Sequence, residues 1–366
     1  MKYFIIAGEA SGDQHAARLM EALLRKDTDA VFSFLGGDNM EKTGGSAVVH
    51  IREMAFMGFT QILSKLRRIR KNFKIAKQAI QEFNPDVLIL VDYAGFNLKM
   101  AKWAKNHGFL VYYYIAPKVW AWNTGRVKKL KAFTNQVFSI LPFEKAFFHS
   151  HHLQCTYVGS PVLEAIEENL VRHSEARRSA SGKIAVLPGS RKQEIERILP
   201  LMLSVVDDFP DYRFIIAGMS AHKKLYKDIL PESDRIELRF DDTWEVLNDS
   251  SASLVTSGTA TLETSLIGIP QIVCYKTNPI SFQIARRLIK VRYISLVNLI
   301  LDAPAVPELI QSECNRDQIK SRLCSILPDG SSRHDQLEIT SLLREKLGSF
   351  SVSLNLSSLI INSLGR

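Results

Sequence analysis

Residues 87–97 read Val-Leu-Ile-Leu-Val-Asp-Tyr-Ala-Gly-Phe-Asn, an unbroken apolar run followed by an acid and a turn. A short run that is apolar at every position is typical of a parallel strand buried on both faces. Short apolar runs alternate with amphipathic segments on either side of this stretch, which is the pattern of βαβ units. The sequence therefore predicts a parallel sheet covered by helices.

The alternation extends over most of the chain. Five more strands are predicted in the first half: Tyr3–Ala7, Val31–Leu35, Val111–Ile115, Gln136–Ile140 and Cys155–Val158. The polar stretch Glu164–Lys183 is interpreted as a linker because it contains no strand-like run. Five strands are predicted after it: Ile184–Leu187, Arg213–Ala217, Ile236–Phe240, Ala252–Val255 and Gln271–Tyr275. The C-terminal segment Asp317–Leu364 is predicted to be helical.

This organisation predicts an α/β protein with two Rossmann-like, doubly wound domains, residues 1–166 and 167–347. Ligands of such sheets bind outside the carboxyl ends of the strands, so we expect a site in a cleft between the two halves.

Composition limits the function classes. The chain has 366 residues, of which 46% are hydrophobic, enough for two cores and too many for a disordered tail. A formal net charge of +9 favours an anionic partner such as nucleic acid, a nucleotide or an acidic membrane surface. The four cysteines form no CxxC pair, which argues against a zinc ribbon and fits a reducing cytoplasm. No stretch is long and apolar enough to span a bilayer.

The first predicted strand ends in a glycine-containing turn, Gly8-Glu9-Ala10-Ser11-Gly12-Asp13, before a helix predicted to begin near Gln14. This turn either lets a ligand approach the backbone and the helix N–H groups, or is an ordinary βα turn with Asp13 as N-cap. It matches neither a dinucleotide fingerprint nor a phosphate-binding loop.

Two turns in the second half have the same position and the composition of phosphate sites. Gly189 and Ser190 precede Arg191 at a predicted helix start, and its planar guanidinium suits a diphosphate. The second turn contains Ser257, Gly258, Thr259, Ala260 and Thr261, and Glu263 follows as a possible ribose acceptor. The alternatives are a surface arginine at the first turn and a capped helix with a solvated glutamate at the second.

Asp92 follows the most apolar strand of the first half. An acid at the carboxyl end of a strand, facing a ligand site, is placed to act as a general base; the alternative is a loop N-cap.

A basic run, Lys65–Lys74, contains six Lys and Arg in ten positions and follows an apolar stretch. Basic residues beside Met and Phe are typical of an interfacial membrane patch, and a solvated helix face is the alternative. The predicted patch consists of Met54, Phe56, Met57, Phe59, Arg67, Arg68, Arg70 and Lys71. Nucleic-acid binding is disfavoured, since no recognition motif or stacking platform is present.

An ordered set of motifs across most of the chain resembles the lipid-A-disaccharide synthase family, glycosyltransferases of the GT-B type in Gram-negative bacteria. The motifs are Gly8–Asp13, Met57-Gly58, Trp120-Ala121-Trp122, Leu141-Pro142-Phe143-Glu144, Leu187–Arg191, Ser257–Glu263 and Ser295-Leu296-Val297-Asn298.

The resemblance implies an inverting transfer without metal or cofactor. UDP-2,3-diacylglucosamine would give its sugar to 2,3-diacylglucosamine 1-phosphate (lipid X), forming a β-1,6 disaccharide and UDP. It also implies a final helix, about 348–366, that returns to the first domain, and a cytoplasmic enzyme bound peripherally to the inner membrane; the oligomeric state stays open.

Carried over position by position, the family roles place the diphosphate at Arg191 and the 257–261 turn, the ribose at Glu263, and the donor near Asn298. Glu9, Ser11 and Gly12 would border the acceptor, with Asp92 as base.

Three departures limit the resemblance, and one of them is Asn278-Pro279 where other members have Lys-Pro. Ala94 and Gly95 stand where many members have Pro and a second acid, so Asp92 would act alone. Ser160 replaces the His of a Gly-His-Pro turn, so no role is carried over there.

Two rival functions are considered. The first is a UDP-N-acetylglucosamine 2-epimerase, which would need no acyl-binding surface. The second is a non-catalytic nucleotide-sugar or lipid-binding module, and the acid at Asp92 argues against it.

Overall fold

The run Val87–Val91 is a strand with all five residues buried, as its composition predicts. The computed structural model describes residues 1–54, 62–122, 124–172, 182–288, 291–348 and 351–365. The chain divides into two compact units: unit 1 comprises Met1–Pro161 and Ser349–Arg366, and unit 2 comprises Val162–Gly348.

Unit 1 is built on a parallel sheet with the strand order β3-β2-β1-β4-β5-β6-β7. The strands are β1 (Lys2–Ala7), β2 (Val31–Gly36), β3 (Ser46–His50), β4 (Val87–Val91), β5 (Val111–Tyr114), β6 (Gln136–Ser139) and β7 (Thr156–Tyr157). Its helices are α1 (Ala10–Leu24), α2 (Asp38–Thr43), α3 (Ile51–Met54), α4 (Ile62–Phe83), α5 (Ala94–Asn106), α6 (Val119–Trp122), α7 (Gly125–Phe133) and α8 (Pro142–Ser150).

Unit 2 has a second parallel sheet, with the order β10-β9-β8-β11-β12-β13. The strands are β8 (Lys183–Leu187), β9 (Arg213–Gly218), β10 (Ile236–Phe240), β11 (Ala252–Thr256), β12 (Gln271–Tyr275) and β13 (Glu308–Ile310). The helices are α9 (Pro161–Arg172), α10 (Lys192–Leu203), α11 (Lys223–Ile229), α12 (Thr243–Asn248), α13 (Thr259–Ile267), α14 (Pro279–Leu288), α15 (Leu296–Leu301), α16 (Arg316–Ile326) and α17 (Arg333–Leu347).

The last helix, α18 (Val352–Ser363), belongs to unit 1. Val352, Leu356 and Ile360 are fully buried in the core that also contains residues of α1 and alternate residues of β1 and β4. Ser363 and Tyr112 are hydrogen-bonded through their hydroxyls at 2.7 Å, which joins α18 to β5.

The doubly wound α/β prediction is confirmed, and each sheet has one point where the strand order reverses. In unit 1 this point lies between β1 and β4, where Ala7 pairs with Val91. In unit 2 it lies between β8 and β11, where Leu187 pairs with Val255. The loops after these four strands are the places where open α/β sheets bind ligands.

The sequence analysis did not predict two of the strands, β3 and β13. Both lie at the edge of their sheets, so they are not buried on both faces and carry no continuous apolar run. A three-residue strand such as β13 is also shorter than the runs that sequence patterns identify.

The linker interpretation of Glu164–Lys183 is wrong for its first part, because residues 164–172 are helical. Helix α9 buries Leu163 and Ile166 on one face, which holds the polar residues around Glu168 in a helix. The predicted boundary at 166/167 thus lies within α9. Residues 173–181 lie outside the described residues.

Helix α1 begins at Ala10, four residues before the predicted start. Asp13 is therefore inside the helix, and the N-cap interpretation is wrong. Its buried carboxylate instead accepts the backbone N–H groups of Gly37 at 2.6 Å, Asn39 at 3.0 Å and Met40 at 3.3 Å. Asp13 thus caps the neighbouring helix, α2.

Candidate active site

The turns after β1 and β4 contact each other directly at the reversal point of unit 1. A Cβ atom on Gly8 would lie 2.2 Å from Cδ1 of Tyr93, so only glycine allows this approach. Glu9 follows Gly8 as the exposed N-cap residue of α1, and Asp92 precedes Tyr93. The packing therefore brings the turn that carries Glu9 beside the turn that carries Asp92.

Burial, together with a neighbouring negative charge, raises the pKa of the Asp92 carboxyl group above its usual range. Burial raises the pKa of Asp92 first, and the negative charge of Glu9 raises it further, while Lys118 opposes both. A base works best when its pKa lies near the working pH, so this environment suits proton abstraction. The N-cap residue of α5 is Tyr93 and not Asp92. The alternative interpretation of Asp92 as an N-cap is therefore wrong.

Ser11 and Gly12 differ in accessibility. Ser11 is exposed in the first turn of α1, so a ligand can reach its hydroxyl. Gly12 is buried, and a Cβ there would lie 3.6 Å from Cβ of Ala7. That is an ordinary van der Waals distance, so the packing of α1 on β1 does not require glycine here, and the contact of Gly12 with an acceptor stays a prediction.

In unit 2, the turn after β8 leads into a 12-residue helix, α10, with Arg191 as N-cap. Gly189 has φ +99°, and a Cβ there would lie 2.6 Å from Oε2 of Glu194. Glu194 accepts the backbone N–H of Arg191 at 3.3 Å and its Nη1 at 2.9 Å. The Arg191 side chain is nonetheless 82% exposed, so the rest of its guanidinium can meet an anion. The carbonyl of Ser190 lies 3.1 Å from Nε2 of His222.

The hydroxyls of the turn after β11 are only partly available. Ser257 donates to the carbonyl of Ile294 at 2.8 Å, and the fully buried Thr261 donates to the carbonyl of Gly258 at 2.8 Å. Gly258 and Thr259 are exposed, and the space beside Gly258 is open. The parts of this turn that can meet a phosphate are thus its backbone around Gly258 and the exposed Thr259, at the start of the nine-residue helix α13.

Two further predicted residues lie on α13. Ala260 and Glu263 are half-buried, and burial raises the pKa of Glu263. Glu263 lies about one turn inside the helix and is partly withdrawn from solvent, and its contact with a ribose stays a prediction.

Asn298 is almost fully buried, and its side chain is engaged within unit 2. Its Nδ2 donates to the carbonyl of Val306 and to Glu308, and its Oδ1 accepts the N–H of Val306, each at 2.9 Å. The geometry shows Asn298 bracing a loop, and its contact with a donor stays a prediction.

Glu308 is a structural residue that the sequence analysis missed. Its carboxylate accepts the N–H groups of Ile294 and Ser295, the Ser295 hydroxyl at 2.7 Å and the Asn298 amide. The motif that begins at Ser295 is thereby tied to the edge strand β13. No sequence signal marked Glu308, because it lies ten positions beyond the motif on a strand too short to predict.

The basic run forms part of α4, and Arg67, Arg68, Arg70 and Lys71 are all exposed. Met54 lies in α3 with an undescribed side chain, and Phe56, Met57 and Phe59 lie outside the described residues. The positive charge of the chain belongs to unit 1, which has 23 Lys and Arg against 12 Asp and Glu, whereas unit 2 has 24 against 26. Among the helices described, none combines the length and apolarity needed to cross a membrane.

One group of possible metal ligands occurs in the described part of the chain: Asp38, Glu41 and His50 have ligand atoms within 4.8 Å of one another. Arg52 already pairs with both carboxylate oxygens of Asp38 at 2.8 Å. The backbone N–H of Arg52 also donates to Nδ1 of His50 at 3.1 Å, which in the neutral ring leaves the proton on Nε2. These contacts fit an ion-paired surface cluster better than a metal site.

Comparisons with known proteins identify the family. A family model described as lipid-A-disaccharide synthetase matches residues 3–359. The lipid-A-disaccharide synthase of Syntrophus aciditrophicus is 36% identical over 355 residues, which cover 94% of this chain and 93% of the relative. That of Geobacter sulfurreducens is 32% identical over 378 residues, which cover 100% and 98%. The chain belongs to the lipid-A-disaccharide synthase family.

Membership in the lipid-A-disaccharide synthase family makes the chain a hexosyltransferase of lipid A biosynthesis. The UDP-GlcNAc 2-epimerase of Neisseria meningitidis, solved with UDP-GlcNAc, is similar in structure, with a TM-score of 0.68 over 100% of this chain and 99% of that one. At 13% identity this likeness shows a shared GT-B-type fold alone, so the epimerase alternative has no support beyond the fold.

Proposed function

We propose that the chain transfers the 2,3-diacylglucosaminyl group of UDP-2,3-diacylglucosamine to the 6-hydroxyl of lipid X. The observation that carries the mechanism is the half-buried Asp92 beside Glu9 at the reversal point of unit 1. A carboxylate whose pKa is raised by burial and by a neighbouring acid is a stronger base than a solvated aspartate.

In the proposed reaction the Asp92 carboxylate takes the proton of the acceptor hydroxyl. The acceptor oxygen forms a bond to C1 of the donor sugar, and the bond from C1 to the β-phosphate oxygen breaks with inversion. UDP leaves with the bonding electron pair, so its β-phosphate gains negative charge. The proton abstraction typically contributes about 10²–10⁴-fold to the rate.

Unit 2 supplies the groups that would stabilise the leaving diphosphate. The exposed guanidinium of Arg191 and the N-termini of α10 and α13 follow the two strands at the reversal point of its sheet. Positive groups that are fixed before the reaction stabilise the charge as it develops. Glu263 would accept a ribose hydroxyl, and Asn298, through Glu308, would hold the adjoining loop.

The basic residues of α4 would bind the acidic surface of the membrane that contains both lipid substrates. Four exposed cations within five positions lie on the unit that carries the net positive charge of the chain. Each basic residue near an anionic surface contributes about 1 kcal/mol. The enzyme would therefore associate peripherally with the cytoplasmic face of the inner membrane.

The proposed reaction is tested by incubating the purified full chain with UDP-2,3-diacylglucosamine, with and without lipid X, and following all species by mass spectrometry. We expect UDP and disaccharide 1-phosphate in equal amounts, only when lipid X is present. UDP-N-acetylglucosamine is added in a parallel reaction. Its conversion to the 2-epimer, or no acceptor-dependent UDP release from the diacylated donor, would contradict the proposal.

A further inference from the structure

Asp92 and Tyr93 adopt a backbone conformation that non-glycine residues rarely accept. Their φ angles are +45° and +46°, so two consecutive L-residues lie in the left-handed region. Such residues cost about 1 kcal/mol or more each and persist only where surrounding contacts hold them. The contacts that hold Asp92 therefore decide where its carboxylate lies.

Two buried side chains bind the Asp92 carbonyl. The hydroxyl of Tyr113 donates to this oxygen at 2.6 Å, and Nδ2 of Asn97 donates to it at 2.9 Å. Asn97 is fully buried, and its Nδ2 also lies 3.1 Å from the carbonyl of Val91 and 3.4 Å from that of Ile6. Since all three neighbours are carbonyl oxygens, the amide must present its NH₂ group to them.

The two donors come from different elements that flank the turn. Tyr113 lies on β5, the neighbour of β4, and is fully buried in the core under α5. Asn97 lies in the first turn of α5. The Asp92 peptide is thus held from the strand and from the helix, and neither donor contacts solvent.

We propose that Tyr113 is a positioning residue, whose hydroxyl fixes the Asp92 backbone in the left-handed conformation and so orients the carboxylate for proton abstraction. This inference rests on the proposed function, because it assigns Tyr113 a role only if Asp92 is the base. A small displacement of a catalytic group lowers the rate strongly, since a misplacement of 1 Å can cost about 10²-fold.

The neighbouring Tyr112 provides a matched control. It is on the same strand, is almost fully buried, and its hydroxyl also makes one short hydrogen bond, to Ser363 Oγ at 2.7 Å. Successive strand residues point to opposite faces, so Tyr112 lies in the other core, which contains α18. Tyr113→Phe and Tyr112→Phe therefore remove equivalent groups on opposite sides of the sheet.

The test measures kcat, the donor KM and the melting temperature for both variants, alone and combined with Asp92→Asn. We expect both variants to fold with similar small losses of melting temperature. Tyr113→Phe should lower kcat by about 10-fold to 100-fold with little change in donor KM, while Tyr112→Phe stays within about 2-fold of wild type. In the Asp92→Asn background, Tyr113→Phe should lower kcat by less than about 2-fold.

Equal kcat values for Tyr113→Phe and Tyr112→Phe would overturn the inference. So would a fall in kcat from Tyr113→Phe that is as large in the Asp92→Asn background as in the wild-type background. Failure of the proposed function looks different. In that case Asp92→Asn itself retains the wild-type rate, or wild type makes no disaccharide at all.

Discussion

Trp120 donates its indole N–H to the carboxylate of Glu144 at 2.9 Å, and both side chains are buried. Glu144 also accepts the N–H of Leu141 at 3.3 Å, which satisfies the backbone donor of the N-cap residue of α8. Two motifs that are 24 positions apart in the chain are thus parts of one buried contact in unit 1. Burial raises the pKa of Glu144 to about 7, although the bonds from Trp120 and Leu141 oppose the shift.

The burial of Glu144 makes the stability of unit 1 depend on pH. Because the folded-state pKa of Glu144 is raised from 4.5 to about 7, its contribution is full below pH 4.5 and is lost as pH rises towards 7. Glu144→Gln removes this loss while keeping an acceptor for Trp120. We expect the free energy of unfolding of the variant, relative to wild type, to rise by ~3 kcal/mol between pH 4.5 and 7.5.

Urea unfolding followed by tryptophan fluorescence at several pH values measures this difference. The exposed acid Glu82, on α4, supplies the control, because Glu82→Gln makes the same substitution at the protein surface. A pH-independent difference for Glu144→Gln would show that Glu144 titrates normally.

The charge of Glu9 should set the pH dependence of the reaction. Glu9→Gln removes a negative charge beside Asp92 and so lowers the pKa of the proposed base. Since the base works when deprotonated, the acidic limb of the kcat/KM profile should move to lower pH. Lys118→Met should move it to higher pH, because Lys118 favours the charged form. Glu21→Gln changes an exposed charge on α1 and is the control, which should leave the acidic limb in place. If the pH profiles of all three variants coincide, the acidic limb does not report the titration of Asp92.

The sequence could predict those residues of the candidate site that are recognised by their chemical type and their place after a strand. It could not predict properties that depend on contacts with residues distant in the chain. The acid at Asp92 and the arginine at Arg191 follow from strand ends and turn composition, and both lie at reversal points of the sheets. The burial of Thr261 and Asn298 could not be predicted, because it depends on distant partners such as Leu296 and Glu308.

The fold shows the same division. Central strands such as Val87–Val91 are buried on both faces, so an unbroken apolar run identifies them in the sequence. The edge strand β3 is mostly not buried and has no such run. Asp13 illustrates the limit for single residues: its type suggests a cap, but only the tertiary structure shows that the capped helix is α2.

Arg191 should contribute to both binding and catalysis. Arg191→Ala removes an exposed guanidinium beside the N-terminus of α10, so we expect weaker UDP binding and a lower kcat. Arg191→Lys should recover only part of each, because an ammonium group lacks the planar fork. Isothermal titration with UDP and steady-state kinetics measure the two effects. Arg197→Ala, an exposed arginine further along α10, is the matched control, and full rescue by lysine would rule out a role for the fork.

The basic residues of α4 should bind anionic membranes. Changing Arg67, Arg68, Arg70 and Lys71 to Gln should lower vesicle affinity by a few kcal/mol, at about 1 kcal/mol per residue, and less at high salt. The fold should persist since all four side chains are exposed. Activity on detergent-dispersed substrate should fall much less than activity on substrate in vesicles.

Co-sedimentation with anionic liposomes at two salt concentrations measures this effect. The matched control changes four exposed basic residues of unit 2, Lys224, Lys227, Arg322 and Lys346, to Gln. Equal loss of sedimentation in both quadruple variants would indicate a general charge effect, and no loss in either would assign the α4 run to an ordinary solvated helix.

The most direct test of the account compares Asp92→Asn with wild type at saturating UDP-2,3-diacylglucosamine and lipid X, with UDP affinity measured in parallel. Asparagine keeps the size of the side chain but cannot take a proton. We predict a fall in kcat of at least ~10²-fold with UDP affinity nearly unchanged. Turnover within a few-fold of wild type would contradict the account, because proton abstraction would then belong to another group.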